Sequence, residues 1–128
     1  MQTRKLFGIS ICILIGLGFF VFAHGQTQAP QDDKLVVFYS PSCHTCIEAK
    51  ATVIPDIENE FRGKIQIEYR DITDMENYKL LLGLEEKYGS KIENVWPVFY
   101  FRGHFLNGSG KIKNGLRVLI NQSLSRKA

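Results

Sequence analysis

The alternation of apolar and polar positions divides the chain after its N-terminal region into seven segments. Leu35-Val36-Val37-Phe38-Tyr39 is a β-branched and aromatic run of strand length, which predicts a buried strand. Ser40-Pro41-Ser42 breaks it, and helical spacing begins at Cys46. Ile47, Val53, Ile54, Ile57 and Phe61 then share one helical face, with Lys50, Glu58, Glu60 and Arg62 on the solvated side. Pro55 removes one hydrogen bond from this helix and predicts a kink, and Gly63 predicts its stop. Ile65, Ile67 and Tyr69 alternate with Gln66, Glu68 and Arg70, the pattern of a strand with one buried face. Thr73 and Glu76 have capping-box spacing ahead of a helix carrying Met75, Tyr78, Leu81, Leu82 and Tyr88 and ending at Gly89. Val98-Phe99-Tyr100-Phe101 predicts a third strand, Arg102-Gly103-His104 a tight turn, and Phe105-Leu106 a fourth strand. Ile112, Leu116, Leu119, Ile120 and Leu124 define a last amphipathic helix. The predicted order is β-α-β-α-β-β-α.

The N-terminal pattern is of another kind. A short basic start carrying Arg4 and Lys5 precedes 18 uncharged residues, 6–23, and Ala23-His24-Gly25 offers small residues where a signal peptidase reads. The stretch is long for a signal core and just long enough for a membrane helix. Residues 1–25 are expected to be a signal peptide or a membrane anchor. Both readings export the rest, because basic residues stay on the cytoplasmic side. The product is then secreted or N-terminally anchored, in the periplasm or on the outer face of the membrane. Cys12 is read as a small apolar residue of that stretch. Residues 26–33 are polar with one proline, a flexible linker, and 34–128 form the domain.

Composition narrows the function classes. With 128 residues, 45% hydrophobic and 23% charged, the chain has enough apolar material for one real core. From residue 26 onward 14 basic and 13 acidic residues nearly balance, with no long basic run, so nothing points to nucleic acid.

The chemistry concentrates at Cys43-His44-Thr45-Cys46, on the turn from the first strand into the first helix. Unpaired backbone N–H groups and the positive end of the helix dipole favour an anion there. The thiolate is an anion and is the reactive form of cysteine, so this placement predicts a redox-active dithiol. Cys43, at the exposed helix start, is the expected nucleophile. Cys46, one turn in, is the expected resolving thiol that closes a Cys43–Cys46 disulfide. A protonated His44 beside Cys43 would tune its pKa by favouring the thiolate. His104 is expected to be a surface residue of the hairpin.

From these residues the chain resembles the thioredoxin superfamily. The likeness rests on the strand–CxxC–helix unit, the element order, Trp96-Pro97 before the third strand, and Gly103 in the following hairpin. It implies an α/β, thioredoxin-like fold: a central mixed four-stranded sheet flanked by helices, after the N-terminal signal or anchor helix. It implies that the Trp96–Pro97 peptide is cis and lies against the cysteines, and that the Trp96 backbone and Pro97 contact substrate. It implies a thiol–disulfide oxidoreductase without cofactor, acting as a monomer on protein thiols or disulfides, or with a membrane thiol–disulfide electron carrier. The second helix and its exit loop are longer than in small thioredoxins, and the chain also departs from cytosolic thioredoxins at two sites in and near the CxxC. The pair between the cysteines is His-Thr, not Gly-Pro, and Val37 stands where those proteins carry a buried acid. An oxidising pair and a tethered reductant recharged from the membrane both fit. The other classes are a copper carrier using the two thiolates and a redox-inert binding module. A four-ligand zinc site is not expected from Cys43, Cys46, His44 and His104, because His44 lies inside the CxxC itself.

Overall fold

Residues 33–93 and 95–126 are described by the computed structural model. Residues 1–25, expected to be a signal or anchor, and most of the expected linker 26–33 lie outside them. The elements are β1 (Lys34–Tyr39), α1 (His44–Glu60), β2 (Gln66–Asp71), α2 (Met75–Tyr88), β3 (Val98–Phe101), β4 (His104–Asn107) and α3 (Ser109–Ser125). The four strands form one mixed sheet in the order β2-β1-β3-β4. β1 runs parallel to β2 and antiparallel to β3, and β3 pairs antiparallel with β4. The architecture is therefore α/β, with three helices among the described residues.

Strand alternation sends β1 into two cores. Leu35 and Val37 face a cluster built with Val53, Ile54 and Ile57 of α1, Phe99 and Phe101 of β3, and Ile112, Leu116 and Ile120 of α3. Val36 and Phe38 face a smaller cluster with Leu81 of α2 and Val98. Because helices cover both faces, β1 is apolar from Leu35 to Phe38, the stretch that is buried.

Several local expectations are corrected. Ile47, placed by spacing on the buried face of α1, is 56% exposed; Cys46 and Ala49 are buried in its place. Lys50, assigned to the solvated side, stands over the rings of Tyr39 and Tyr69 at 3.8 and 4.4 Å, an aromatic seat for its ammonium. The N-cap of α2 is Asp74, which accepts from the Glu76 N–H at 2.8 Å, whereas Thr73 donates its hydroxyl to Asp71. Two acceptors compete for that turn, and the aspartate next to the helix holds the cap position. Of the apolar residues in α2 only Leu81 is buried, and Met75 is 63% exposed. The helix covers a small core, so one line of contact is enough to seat it. α1 continues through Pro55 to Glu60.

The β3–β4 hairpin closes in two residues, Arg102 and Gly103, at φ +47° and +82°, and His104 already belongs to β4. Positive φ at both turn positions matches the twist of the flanking strands. Arg102 pairs with Asp33 and donates to the Ser123 carbonyl, tying the turn to the start of β1 and the end of α3.

Candidate active site

Local chain geometry brings the cysteines to the end of the sheet. β1 ends at Tyr39, and the Cys43 N–H returns to the Ser40 carbonyl at 3.1 Å. This tight turn makes Cys43 the N-cap of α1, with extended backbone angles of φ −84° and ψ 113°. An N-cap side chain accepts from N–H groups of the first turn that have no partner inside the helix. Here the acceptor is sulfur: Cys43 Sγ receives the Cys46 N–H at 3.2 Å. Cys43 is half-buried, Cys46 is buried at 2% exposure, and both carry free thiols.

The two thiols are held in opposite protonation regimes. Partial burial pushes the Cys43 thiol up, but hydrogen bonds from Cys46 and Thr45 outweigh it, and the net direction is down. Burial pushes the Cys46 thiol up, contact with Cys43 adds to that, and it reaches about 11 despite the opposing Lys50 charge. Cys43 is thus the accessible thiol that ionises first and Cys46 the buried one that holds its proton.

His44 is exposed, and the groups acting on Cys43 are Cys46 and Thr45; His44 is not among them. Thr45, to which the sequence reading assigned no role, is the polar centre of the site. Its Oγ1 lies 3.1 Å from Cys43 Sγ and donates to the Trp96 carbonyl at 2.9 Å. A hydroxyl between two cysteines was the only sequence signal for it. The Trp96–Pro97 peptide is cis and Pro97 is buried. The indole of Trp96 packs on the smaller core, while its carbonyl faces the dithiol loop through Thr45. The structure therefore brings Cys43, Thr45, Cys46 and Trp96 together.

His104 is exposed on β4, where it helps line a cleft of about 710 Å³ with Lys34, Arg70, Tyr88 and Tyr100, none of them a residue of the dithiol site. Among the described residues no three or more His, Cys, Asp or Glu side chains are grouped to hold a metal ion. Among the same residues no helix is long and apolar enough to cross a membrane. No family model matches the chain, and no curated protein matches it.

The arrangement can form and break disulfides. A Cys43 thiolate that attacks a substrate disulfide forms a Cys43–substrate S–S bond, and the displaced substrate sulfur leaves as a thiolate and takes up a proton. Cys46 then loses its proton and attacks Cys43 Sγ, which releases the second substrate thiolate and leaves Cys43–Cys46 oxidised. Two electrons pass to the substrate. The reverse sequence oxidises a substrate dithiol.

Proposed function

We propose that this chain is an exported or membrane-anchored thiol–disulfide oxidoreductase of thioredoxin-like fold. It exchanges disulfides with protein substrates or a membrane dithiol carrier through Cys43 and Cys46. The observation that carries the reading is the sulfur at the N-cap of α1: Cys43 Sγ accepts the Cys46 N–H and meets the Thr45 hydroxyl, with a buried second thiol one turn away. A structural cysteine pair has no need of one accessible, readily ionised member. The mixed sheet in the order β2-β1-β3-β4, and Trp96–Pro97 beside the cysteines, also support the thioredoxin-like assignment.

The test separates the two roles. Cys46→Ala is expected to accumulate mixed disulfides through Cys43, because nothing resolves them, whereas Cys43→Ala abolishes exchange. Incubation with a disulfide-containing protein followed by non-reducing electrophoresis reads both outcomes. Exchange that survives loss of Cys43 but not of Cys46 would reverse the roles, and a pair inert to dithiothreitol would leave a structural disulfide.

A further inference from the structure

A threonine hydroxyl carries one proton and can accept at its lone pairs. Thr45 stands between two groups that both call on that proton. The Trp96 carbonyl can only accept, so at 2.9 Å the Thr45 O–H points to it. Cys43 Sγ lies 3.1 Å from the same oxygen, and with the Thr45 proton committed elsewhere the Cys43 thiol is the donor. The thiol form is therefore a directed chain, S–H to Thr45 Oγ1 and Thr45 O–H to the Trp96 carbonyl.

Loss of the Cys43 proton reverses the demand. A thiolate has nothing to donate and draws donors; Cys46 N–H is already one, at 3.2 Å, the Cys46 thiol and the Thr45 backbone N–H also act on it, and the Thr45 hydroxyl is a further donor within reach. A charge-assisted hydrogen bond to sulfur outweighs a neutral one to a carbonyl.

We propose that Thr45 is a one-proton switch: its hydroxyl donates to the Trp96 carbonyl while Cys43 is a thiol and turns to Cys43 Sγ when the thiolate forms. The thiol proton leaves to a solvent base, and no other bond is made or broken. The inference rests on the dithiol reading above and makes Thr45 its positioning residue. When Cys43 becomes the attacking form, the Trp96 carbonyl regains its full acceptor capacity, at the backbone edge an extended substrate chain would use. The coupling is reciprocal. A substrate N–H that takes the Trp96 carbonyl leaves the Thr45 proton for Cys43 and draws that thiol towards ionisation. Docking of an extended polypeptide and arming of the nucleophile then favour each other.

The other titratable groups at the site are Cys46, whose thiol holds its proton to about 11, Lys50, whose charge acts on Cys46, and exposed His44 beside Cys43. Trp96 and Pro97, from the facing loop, bring no charge.

Trp96 is the only tryptophan in the chain, so tryptophan labelled with carbon-13 at its carbonyl reports on this one group. The full-length chain in detergent micelles, kept reduced with a phosphine, is titrated between pH 5 and 10 while the labelled carbonyl is followed by NMR, and alkylation rates of Cys43 are measured over the same range. A His44→Gln background removes any inflection from the imidazole. The carbonyl resonance is expected to shift with the midpoint of Cys43 ionisation. In Thr45→Val it is expected to stay flat, near the wild-type high-pH position, while the Cys43 midpoint rises by about one pH unit through loss of a donor to the thiolate. Thr45→Ser restores both behaviours. Should the valine variant not fold, Cys43→Ser makes the same point, with a flat carbonyl resonance against the titrating wild type. A wild-type carbonyl that ignores Cys43 ionisation, or a carbonyl titration that persists without the Thr45 hydroxyl, overturns the switch. Failure of the dithiol reading looks different and removes the basis of the switch: Cys43 and Cys46 oxidise to a bridge that dithiothreitol does not open.

Discussion

Cys43 and Cys46 are three residues apart, yet their surroundings push their thiols in opposite directions. Cys43 caps a helix and collects hydrogen bonds, while Cys46 lies inside and is pushed up to about 11. Since the thiolate is the nucleophile, reactivity at Cys43 rises as pH passes a value below that of an ordinary thiol, and at Cys46 only near pH 11. One equivalent of iodoacetamide at neutral pH is expected to modify Cys43 and leave Cys46 intact, as peptide mass mapping will read. Equal or preferential labelling of Cys46 would contradict the burial difference on which the roles depend. The stability of the reduced protein carries the same signs. The Cys43 contribution is present above the ordinary thiol pKa and fades as pH falls through the lowered folded value. The Cys46 contribution is present below the ordinary thiol pKa and fades as pH rises towards about 11.

The turn of the β3–β4 hairpin lies close against Tyr88 at the end of α2. Gly103 turns at φ +82°, and a Cβ there would stand 2.8 Å from Cε1 and 3.0 Å from Cδ1 of Tyr88. Tyr88 packs in turn against Tyr100 with ring centroids 5.8 Å apart. Gly103→Ala meets both a backbone region that L-residues avoid and an occupied volume, so a loss of about 2 kcal/mol is expected. Gly83, inside α2, has nothing within 4 Å of such a Cβ. Gly83→Ala is therefore expected to stabilise by about 0.5–1 kcal/mol through helix propensity alone. Urea denaturation of the two variants should move the midpoint in opposite directions, and a common direction would count against this placement of hairpin and helix.

At the scale of the molecule, β1 and β3 form the centre on which both cores rest. Phe99 of β3 is fully buried between Val37 of β1 and Leu106 of β4, in the larger cluster. Phe99→Ala removes a ring from a packed interior and is expected to cost about 3–5 kcal/mol. That is a large share of the roughly 5–15 kcal/mol that holds a domain of this kind together. Arg117 of α3 instead joins Glu60 of α1 across a surface where both side chains stay partly exposed. Arg117→Met is expected to cost at most about 1 kcal/mol, because water already solvates both charges. Chemical denaturation compares the two directly, and a larger loss at Arg117 would mean that α1 and α3 are held by charge and not by the apolar seam between them.

The sequence by itself determined the seven elements, the order in which they follow, and the seat of the cysteines on a strand-to-helix turn. Each of these is a local matter: periodicities of 2 and 3.6, breakers such as Ser40-Pro41-Ser42, and glycines at turns all act within a few residues. Tertiary structure decided how much of each amphipathic face found a partner. Ile47 and Met75 keep the right spacing but stay largely exposed, because α1 covers the sheet through Cys46, Ala49 and Val53, and α2 through Leu81. It decided that Lys50 sits over Tyr39 and Tyr69, rings supplied by two neighbouring strands. It also decided that Thr45 donates to a carbonyl 51 residues away in sequence. Periodicity carries no record of a contact at that separation; only the closing of the chain, which lays the Trp96–Pro97 segment beside the first turn of α1, makes a threonine between two cysteines part of the site.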